Sequence, residues 1–261
     1  MSKRKRLGQH FLKNPHVIRK MINYINPGPE ELIIEIGAGK GALTFPLAKR
    51  AEKVIAIEKD RKFIPYLKEK GFPNLEIVEA DVLKLDFKEL IPSDKKVKIV
   101  GNLPYSISSP ILFKIYDQKE LISECYFLLQ KEVAERICAS PHTKSFAPLS
   151  IIFQIFFLTQ IAFYVSRKSF TPQPKVDSAF ISLRKREKPL FDINSEEKFI
   201  NFLKEIFKQR RKTLFNNLKR MKYPENKINE VFNALNLNHL IRAEDLNISR
   251  IIEIYNLLER E

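Results

Sequence analysis

Residues 31–41, ELIIEIGAGKG, decide the fold. An apolar run too short for a buried helix ends in three glycines at alternate positions, Gly37, Gly39 and Gly41. It reads as a buried strand turning directly into a helix, GALTFPLAKR at 41–50. Glycine lets the backbone turn tightly there and lets a ligand come close to the main chain. The pattern recurs downstream. KVIAIE at 53–58, LEIVEAD at 75–81, VKIVGN at 97–102 and ECYFLLQ at 124–130 are short and mostly rich in Ile and Val, and DRKFIPYLKEK at 60–70 has helical spacing. Strand and helix alternate, which predicts an α/β protein with a Rossmann-like, doubly wound parallel sheet. A sheet of this kind holds its ligand beyond the carboxyl ends of its strands.

Three successive strand ends carry groups suited to a nucleoside. Gly37 follows the first. Glu58 closes the second 21 residues later, near the offset of roughly 20 residues at which an acid accepts ribose hydroxyls. Asp81 closes the third, where a carboxylate can accept from an adenine amino group. A plain strand-to-helix turn explains the glycines equally well, and an exposed Glu opening a helix explains Glu58. The spacing GxGxG is not the GxGxxG that accommodates a dinucleotide pyrophosphate. S-adenosylmethionine, with an adenosine for the two acids and a zwitterionic amino-acid end for the glycine turn, fits better than NAD.

The fourth strand runs into Asn102-Leu103-Pro104-Tyr105. Pro104 stiffens the turn and removes a donor, so the Asn102 side-chain oxygen and the Leu103 main-chain oxygen can point at one position. Two acceptors holding the hydrogens of an adenine amine favour a pyramidal nitrogen whose lone pair faces an electrophilic methyl group. Tyr105 would stack on a base withdrawn from its strand, unless it only packs in the turn. In FTPQPKVDS at 170–178 two prolines stiffen a loop bearing Phe170, expected to close the other face of the base.

The whole chain has 261 residues, 44% of them hydrophobic, and a formal charge of +15 from 46 Lys and Arg against 31 Asp and Glu. That excess favours a polyanion, nucleic acid or an anionic membrane surface. Cys125 and Cys138 suggest neither a disulfide framework nor a metal site, and fit a reducing, cytoplasmic setting. The start, MSKRKRLGQHFL, has no apolar segment behind its basic residues, so no secretory signal is expected. Phe146–Val165 is uncharged and nearly long enough to span a bilayer. Pro148, Ser150, Gln154, Thr159 and Gln160 argue instead for a buried helix running into a buried strand, with a turn near Thr159. After Arg186 the strand signal stops: SEEKFINFLKEIFKQ, ENKINEVFNALN and SRIIEIYNLLER are amphipathic helices. The linker falls near Lys185–Asn194. Two domains follow, 1–185 for cofactor and catalysis and 186–261, small and all-helical.

With these motifs in hand, the sequence resembles the KsgA family of small-subunit rRNA adenine dimethyltransferases over nearly its whole length. Gln9-His-Phe-Leu12 is similar to the family's N-terminal cofactor motif, EIGAGKG to its glycine loop, NLPY to its catalytic motif and FTPQPKVDS to its FxPxPxVxS loop. LLQKEVAERI at 128–137 and KQRRKTLFNNL at 208–218 also look like family signatures. The resemblance implies the fold of class I S-adenosylmethionine-dependent methyltransferases, with S-adenosylhomocysteine as product. It implies cofactor contacts from His10, Leu12, Gly37, Glu58, Asp81 and Asn102; for His10 and Leu12 nothing else in the sequence points that way. It implies N6-dimethylation of two adjacent adenosines near the 3′ end of 16S rRNA during assembly of the 30S subunit. Residues 186–261 would bind rRNA, and Lys208, Arg210, Arg211, Lys212, Lys219, Arg220 and Lys222 suit such a surface, or a solvated helix face. The protein is expected to act as a monomer without metal or membrane. The related Erm enzymes, with NIPY, modify 23S rRNA and set a rival expectation. A non-catalytic RNA-binding or assembly factor is a second rival, and a DNA adenine methyltransferase, disfavoured by Leu103, a third.

Overall fold

The computed structural model describes residues 9–93, 95–193 and 195–260. The basic start at 1–8 and Asn194 at the end of the expected linker lie outside the described residues. The described chain enters through strand β1 (Phe11–Leu12) and helix α1 (Pro15–Ile25). The α1 start is set by Asn14, whose side-chain oxygen accepts from the amides of His16 (3.0 Å) and Val17 (3.4 Å), and by Pro15, which needs no hydrogen-bond partner in a first turn. Met21, Ile22 and Ile25 form its buried face.

The expected strands follow as β2 (Leu32–Ile36), β3 (Lys53–Glu58), β4 (Leu75–Glu79), β5 (Val97–Asn102) and β6 (Ile122–Gln130). All five residues of β2 are buried, which is why its sequence, Glu35 apart, runs apolar without alternation. The connecting helices α2 (Thr44–Ala48) and α3 (Ile64–Glu69) are shorter than 41–50 and 60–70. Pro46 and Pro65 account for this, since proline is tolerated only in a first turn and each helix begins one or two residues before its own. Helix α4 (Ser108–Asp117) links β5 to β6, and α5 (Lys131–Ile137) and α6 (Pro148–Phe156) follow. Three strands complete the β structure: β7 (Phe157–Val165), β8 (Phe170–Thr171) and β9 (Ser178–Lys185).

The main sheet has the order β4-β3-β2-β5-β6-β9-β7. Its first five strands are parallel neighbours, and β9 runs antiparallel to β6, so the doubly wound sheet is mixed at one side. From β2 the chain winds outward through β3 and β4, then returns to pair β5 on the other side of β2. The strand order therefore reverses between β2 and β5, and the crevice beyond their carboxyl ends is where such sheets bind ligands.

Two expectations need correction here. The helix-to-strand change falls at Phe156/Phe157, and Thr159 lies inside β7, not at a turn. Nor is that strand buried. It lies at the edge of the sheet, where one face meets solvent, leaving Leu158 52% and Tyr164 56% exposed. Among the described residues no helix is long and apolar enough to cross a membrane.

The described chain forms two compact units, residues up to Ala134 with Leu158–Lys185, and Glu135–Phe157 with Arg186 onward. Residues 135–157, expected within 1–185, thus cluster with the helices. In that unit Gln154 donates to the Ile137 and Ala139 carbonyls (3.1 and 2.8 Å), and the Phe146 and Phe207 rings meet edge to face. Helices α7 (Glu196–Lys208), α8 (Leu214–Arg220), α9 (Glu225–Ala234) and α10 (Ile248–Leu258) make up the rest. Ser195, Thr213 and Asn247 cap α7, α8 and α10 with side-chain oxygens.

At the reversal point β5 needs a residue without a side chain. A Cβ on Gly101 would lie 2.8 Å from the Ile36 carbonyl oxygen and 2.8 Å from Leu103 Cδ2. Gly101→Ala is expected to cost about 1–3 kcal/mol through overpacking, read as an earlier midpoint in urea unfolding; an unchanged midpoint would show that the β2–β5 seam can open.

Candidate active site

The carboxyl ends of β2, β3 and β5 and the residues after β4 enclose a cavity of about 610 Å³. Its remaining walls come from residues 9–13 and 171–172. The cavity is lined by nine of the residues singled out by sequence: His10, Leu12, Gly37, Glu58, Asp81, Asn102, Leu103, Pro104 and Tyr105.

The glycine turn is held from below. Gly37 donates to the Ile57 carbonyl (2.8 Å), and buried Glu58 accepts from the amides of Gly39 and Asp60, 2.7 Å to each carboxylate oxygen. Gly37 has φ +76° and Gly41 φ +75°; a Cβ on Gly41 would strike the Phe45 ring at 2.3 Å, whereas one on Gly37 would meet nothing within 4 Å. With Gly39 at φ +53°, the turn adopts the left-handed region at all three glycines, and it leaves open space over Gly37. Asp81 accepts from Lys59 Nζ (2.7 Å) and from the Leu83 amide (3.1 Å). The Lys59 hydrogen bond, more than the backbone one, holds its carboxyl below the usual range.

At the end of β5, Asn102 Nδ2 donates to the His10 carbonyl (2.8 Å). A carbonyl can only accept, so the amide nitrogen must face the N-terminal arm and Oδ1 is the end not committed to it. His10 Nδ1 lies 2.7 Å from the Pro172 carbonyl, which requires the proton on Nδ1, and its ring sits 5.3 Å from that of Tyr105, tilted by 37°. The Tyr105 hydroxyl meets Ser178 Oγ at 2.7 Å, and burial raises its phenol above the ordinary value.

The arm is a strand. Phe11 pairs with Thr171 and Leu12 with Phe170, antiparallel, and the Lys13 amide donates to the Ser169 carbonyl (2.9 Å). This pairing corrects the expectation for Phe170. Its side chain is 2% exposed, packed with Leu12 and Phe180 in the core, and does not line the cavity. In an extended strand successive side chains face opposite sides, so Phe170 points inward and Thr171 with Pro172 forms the wall.

Sequence reasoning passed over Gln9, Phe11 and Glu35, which also line the cavity. Phe11 lies against the glycine turn, since a Cβ on Gly39 would come 3.2 Å from its ring. For Glu35 a signal existed: a charged residue inside an otherwise apolar buried strand. Its carboxyl is pushed up to about 7 by burial, countered by the adjacent Thr44 hydroxyl and reinforced by the nearby Glu58 charge.

In the helical unit most of the basic run is ion-paired: Lys208 and Arg220 with Glu205 (3.0 and 2.8 Å), Lys219 with Glu225 (2.6 Å) and Arg210 with Glu244. Arg211, Lys212 and Lys222 are exposed and form no ion pair among the described residues.

The sequence model of the family described as "Ribosomal RNA adenine dimethylase" matches residues 1–260. Proteins named "Ribosomal RNA small subunit methyltransferase A" are 41% identical over 261 residues in Mycoplasma mycoides subsp. mycoides SC, covering 99% of this chain and 98% of that one. In Listeria monocytogenes serotype 4b the identity is 39% over 267 residues, covering 98% and 90%. Among solved structures, a dimethyladenosine transferase from Plasmodium falciparum superposes with a TM-score of 0.82 at 29% identity, covering 94% of this chain and 96% of that one. The 23S rRNA methyltransferase ErmE superposes with a TM-score of 0.75 at 26% identity, covering 96% and 100%.

Asn102→Asp would set a carboxylate oxygen against the His10 carbonyl, two acceptors face to face. Arm docking is expected to weaken by about 1–3 kcal/mol, seen as deuterium exchange at the Lys13 amide about tenfold or more faster. Unchanged exchange would mean that this hydrogen bond does not hold the arm.

Proposed function

The chain belongs to the ribosomal RNA adenine dimethylase family, and from that premise we propose that it dimethylates the N6 amines of two adjacent adenosines near the 3′ end of 16S rRNA in the 30S subunit, with S-adenosylmethionine as methyl donor. The observation that carries the catalytic reading is the Asn102 amide, tied through Nδ2 to the His10 carbonyl with Oδ1 uncommitted, at the point where strand order reverses.

The residues present fit that donor. The space over Gly37 admits an amino-acid end close to the main chain, and Glu58 and Asp81 stand at the next two strand ends for ribose and adenine. His10, Leu12 and Asn102 line the same cavity. When bound, S-adenosylmethionine supplies an electrophilic methyl group, leaving S-adenosylhomocysteine.

The chain's own residues present the nucleophile. The Pro104 carbonyl is already engaged by the Ile107 amide and the Ser108 hydroxyl, both at 3.1 Å, so Leu103 is the neighbouring main-chain acceptor that can pair with Asn102 Oδ1. Together they hold the two hydrogens of the adenine amine and turn its lone pair toward the methyl group. No strong base is needed, because the amine proton becomes acidic as the new N–C bond forms. Tyr105, braced by His10 and Ser178, offers a face for the withdrawn base, and Thr171 with Pro172 takes the place expected of Phe170. Phe170 acts through position, by fixing the strand that anchors the arm.

The unit made of residues up to Ala134 with Leu158–Lys185 carries cofactor and base, and residues 186–261 of the helical unit the rRNA surface, where Arg211, Lys212 and Lys222 are the cations ready for phosphate. Exposed ion pairs contribute only about 0–1 kcal/mol each, so the paired cations can exchange carboxylates for phosphates at little cost. Cytoplasmic action as a monomer on the small ribosomal subunit completes the reading. The 23S reading keeps one specific support, the ErmE superposition.

Labelled S-adenosylmethionine offered to unmethylated 30S and 50S particles should place dimethyladenosine in 16S rRNA; label confined to 23S rRNA would reassign the substrate. In the same assay Asn102→Ala is expected to lose about 100-fold or more in rate while cofactor affinity changes little, and near wild-type turnover would remove Asn102 from the amine-holding role.

A further inference from the structure

Tyr164 lies near the end of β7, the outermost strand of the main sheet, and at 56% it is more exposed than any other phenylalanine or tyrosine among the described residues. Its neighbours turn inward: the Phe163 ring sits 5.2 Å from that of Phe180, and Val165 is buried. One exposed ring means little by itself. This one has company. Lys131 Nζ lies 5.3 Å from its ring centre, and the turn directly after β7 carries Arg167 and Lys168, both exposed.

The patch is tied to the end of the sheet that presents the base. Gln130 pairs in register with Ser178, whose hydroxyl meets that of Tyr105 at 2.7 Å. One residue further, the Lys131 amide donates to the Asp177 carbonyl (3.0 Å), and the Asp177 carboxylate accepts from the Arg167 amide (2.8 Å). The Arg167 guanidinium donates to the Lys175 carbonyl (3.1 Å), which sets exposed Lys175 nearby. The segments 130–131, 164–168 and 175–178 are thereby fixed together before any ligand arrives, next to the residue that braces Tyr105. Against the four cations Lys131, Arg167, Lys168 and Lys175 stand two carboxylates, Glu132 and Asp177, the second already engaged by a backbone amide.

An exposed ring among cations suits a nucleotide, whose base has a face to lay against the tyrosine and whose phosphate takes the charges. An apolar protein segment would cover the ring and strip water from the cations without replacing it. Withdrawing the target adenine from its strand also leaves the neighbouring base without a stacking partner, and a ring that restacks it offsets part of that cost. We propose that Tyr164, with Lys131, Arg167 and Lys168, is a stacking subsite for the nucleotide adjacent to the target adenine. This rests on the reading of the chain as an RNA adenine methyltransferase. Tyr164 does not line the cavity that holds the amine and the methyl donor, so the subsite acts on capture of the RNA and leaves the transfer step unchanged.

The test is methylation of unmethylated 30S particles by the full chain, with kcat and the KM for the particle measured separately. Tyr164→Ala should raise KM about tenfold while kcat and the affinity for S-adenosylhomocysteine stay within about twofold. Tyr164→Phe, which keeps the ring, should stay within about twofold of wild type in every parameter. Lys168→Gln should make particle binding less salt-dependent, by about one unit of the logarithmic slope. Ultraviolet cross-linking of the wild type to the same particles should join Tyr164 to the nucleotide beside a target adenosine. Unchanged KM in Tyr164→Ala, a Tyr164→Phe variant as impaired as Tyr164→Ala, or a cross-link from Tyr164 to a ribosomal protein or to RNA remote from the adenosine pair overturns the subsite and leaves the function reading intact. Wild-type reactions that yield no dimethyladenosine in these particles overturn the function reading, and the subsite with it.

Discussion

Everything at the site depends on the close approach of β2 and β5 where strand order reverses. The two backbones carry the glycine turn on one side and the Asn102 motif on the other, and Gly101 lets them meet without a side chain between. A parallel sheet offers such a crevice at its carboxyl ends because the chain leaves neighbouring strands in opposite directions. The fold supplies the place, and short stretches at the strand ends supply the chemistry.

The second element of the site is borrowed from far along the chain. The 9–13 arm is held by pairing with β8, by the Asn102 amide and by the His10 contact with Pro172. These are polar links at the cavity wall, and they sit above an apolar anchor in which Leu12, Phe170 and Phe180 share one core. The division is physically sensible, since burial supplies most of the stability and the hydrogen bonds fix which way each polar end faces.

Much of this could be read before any coordinates. KVIAIE and VKIVGN match β3 and β5 residue for residue, because buried parallel strands are mostly apolar runs with abrupt polar ends, broken in β5 only by Lys98. Helices α7, α9 and α10 also fell where their periodicity put them. Strand β9 and the start of β7 escaped, because a short apolar run carries no period that separates helix from strand; helix α1 was passed over although PHVIRKMINYI, with its Asn14 cap and buried Met21, Ile22 and Ile25, carries a helical period. Phe170 was misplaced for another reason: a proline-rich loop with one aromatic suggests display, and only the register with Leu12 shows that the ring turns inward. His10 and Leu12 were reached through resemblance alone, since pairing across some 160 residues leaves no local trace.

That long separation sets an order of events during synthesis. The contact between His10 and Pro172 spans 162 residues, and loop closure over such a length precedes any gain from the contact. A nascent chain can complete β2, β3 and β5 and still have no fixed orientation at its Asn102 amide until the segment around residue 172 has left the exit tunnel. Every fragment that stops short of that point therefore lacks the strand and the carbonyl that hold the arm, so its Asn102 amide has no fixed partner even where much of its sheet has formed.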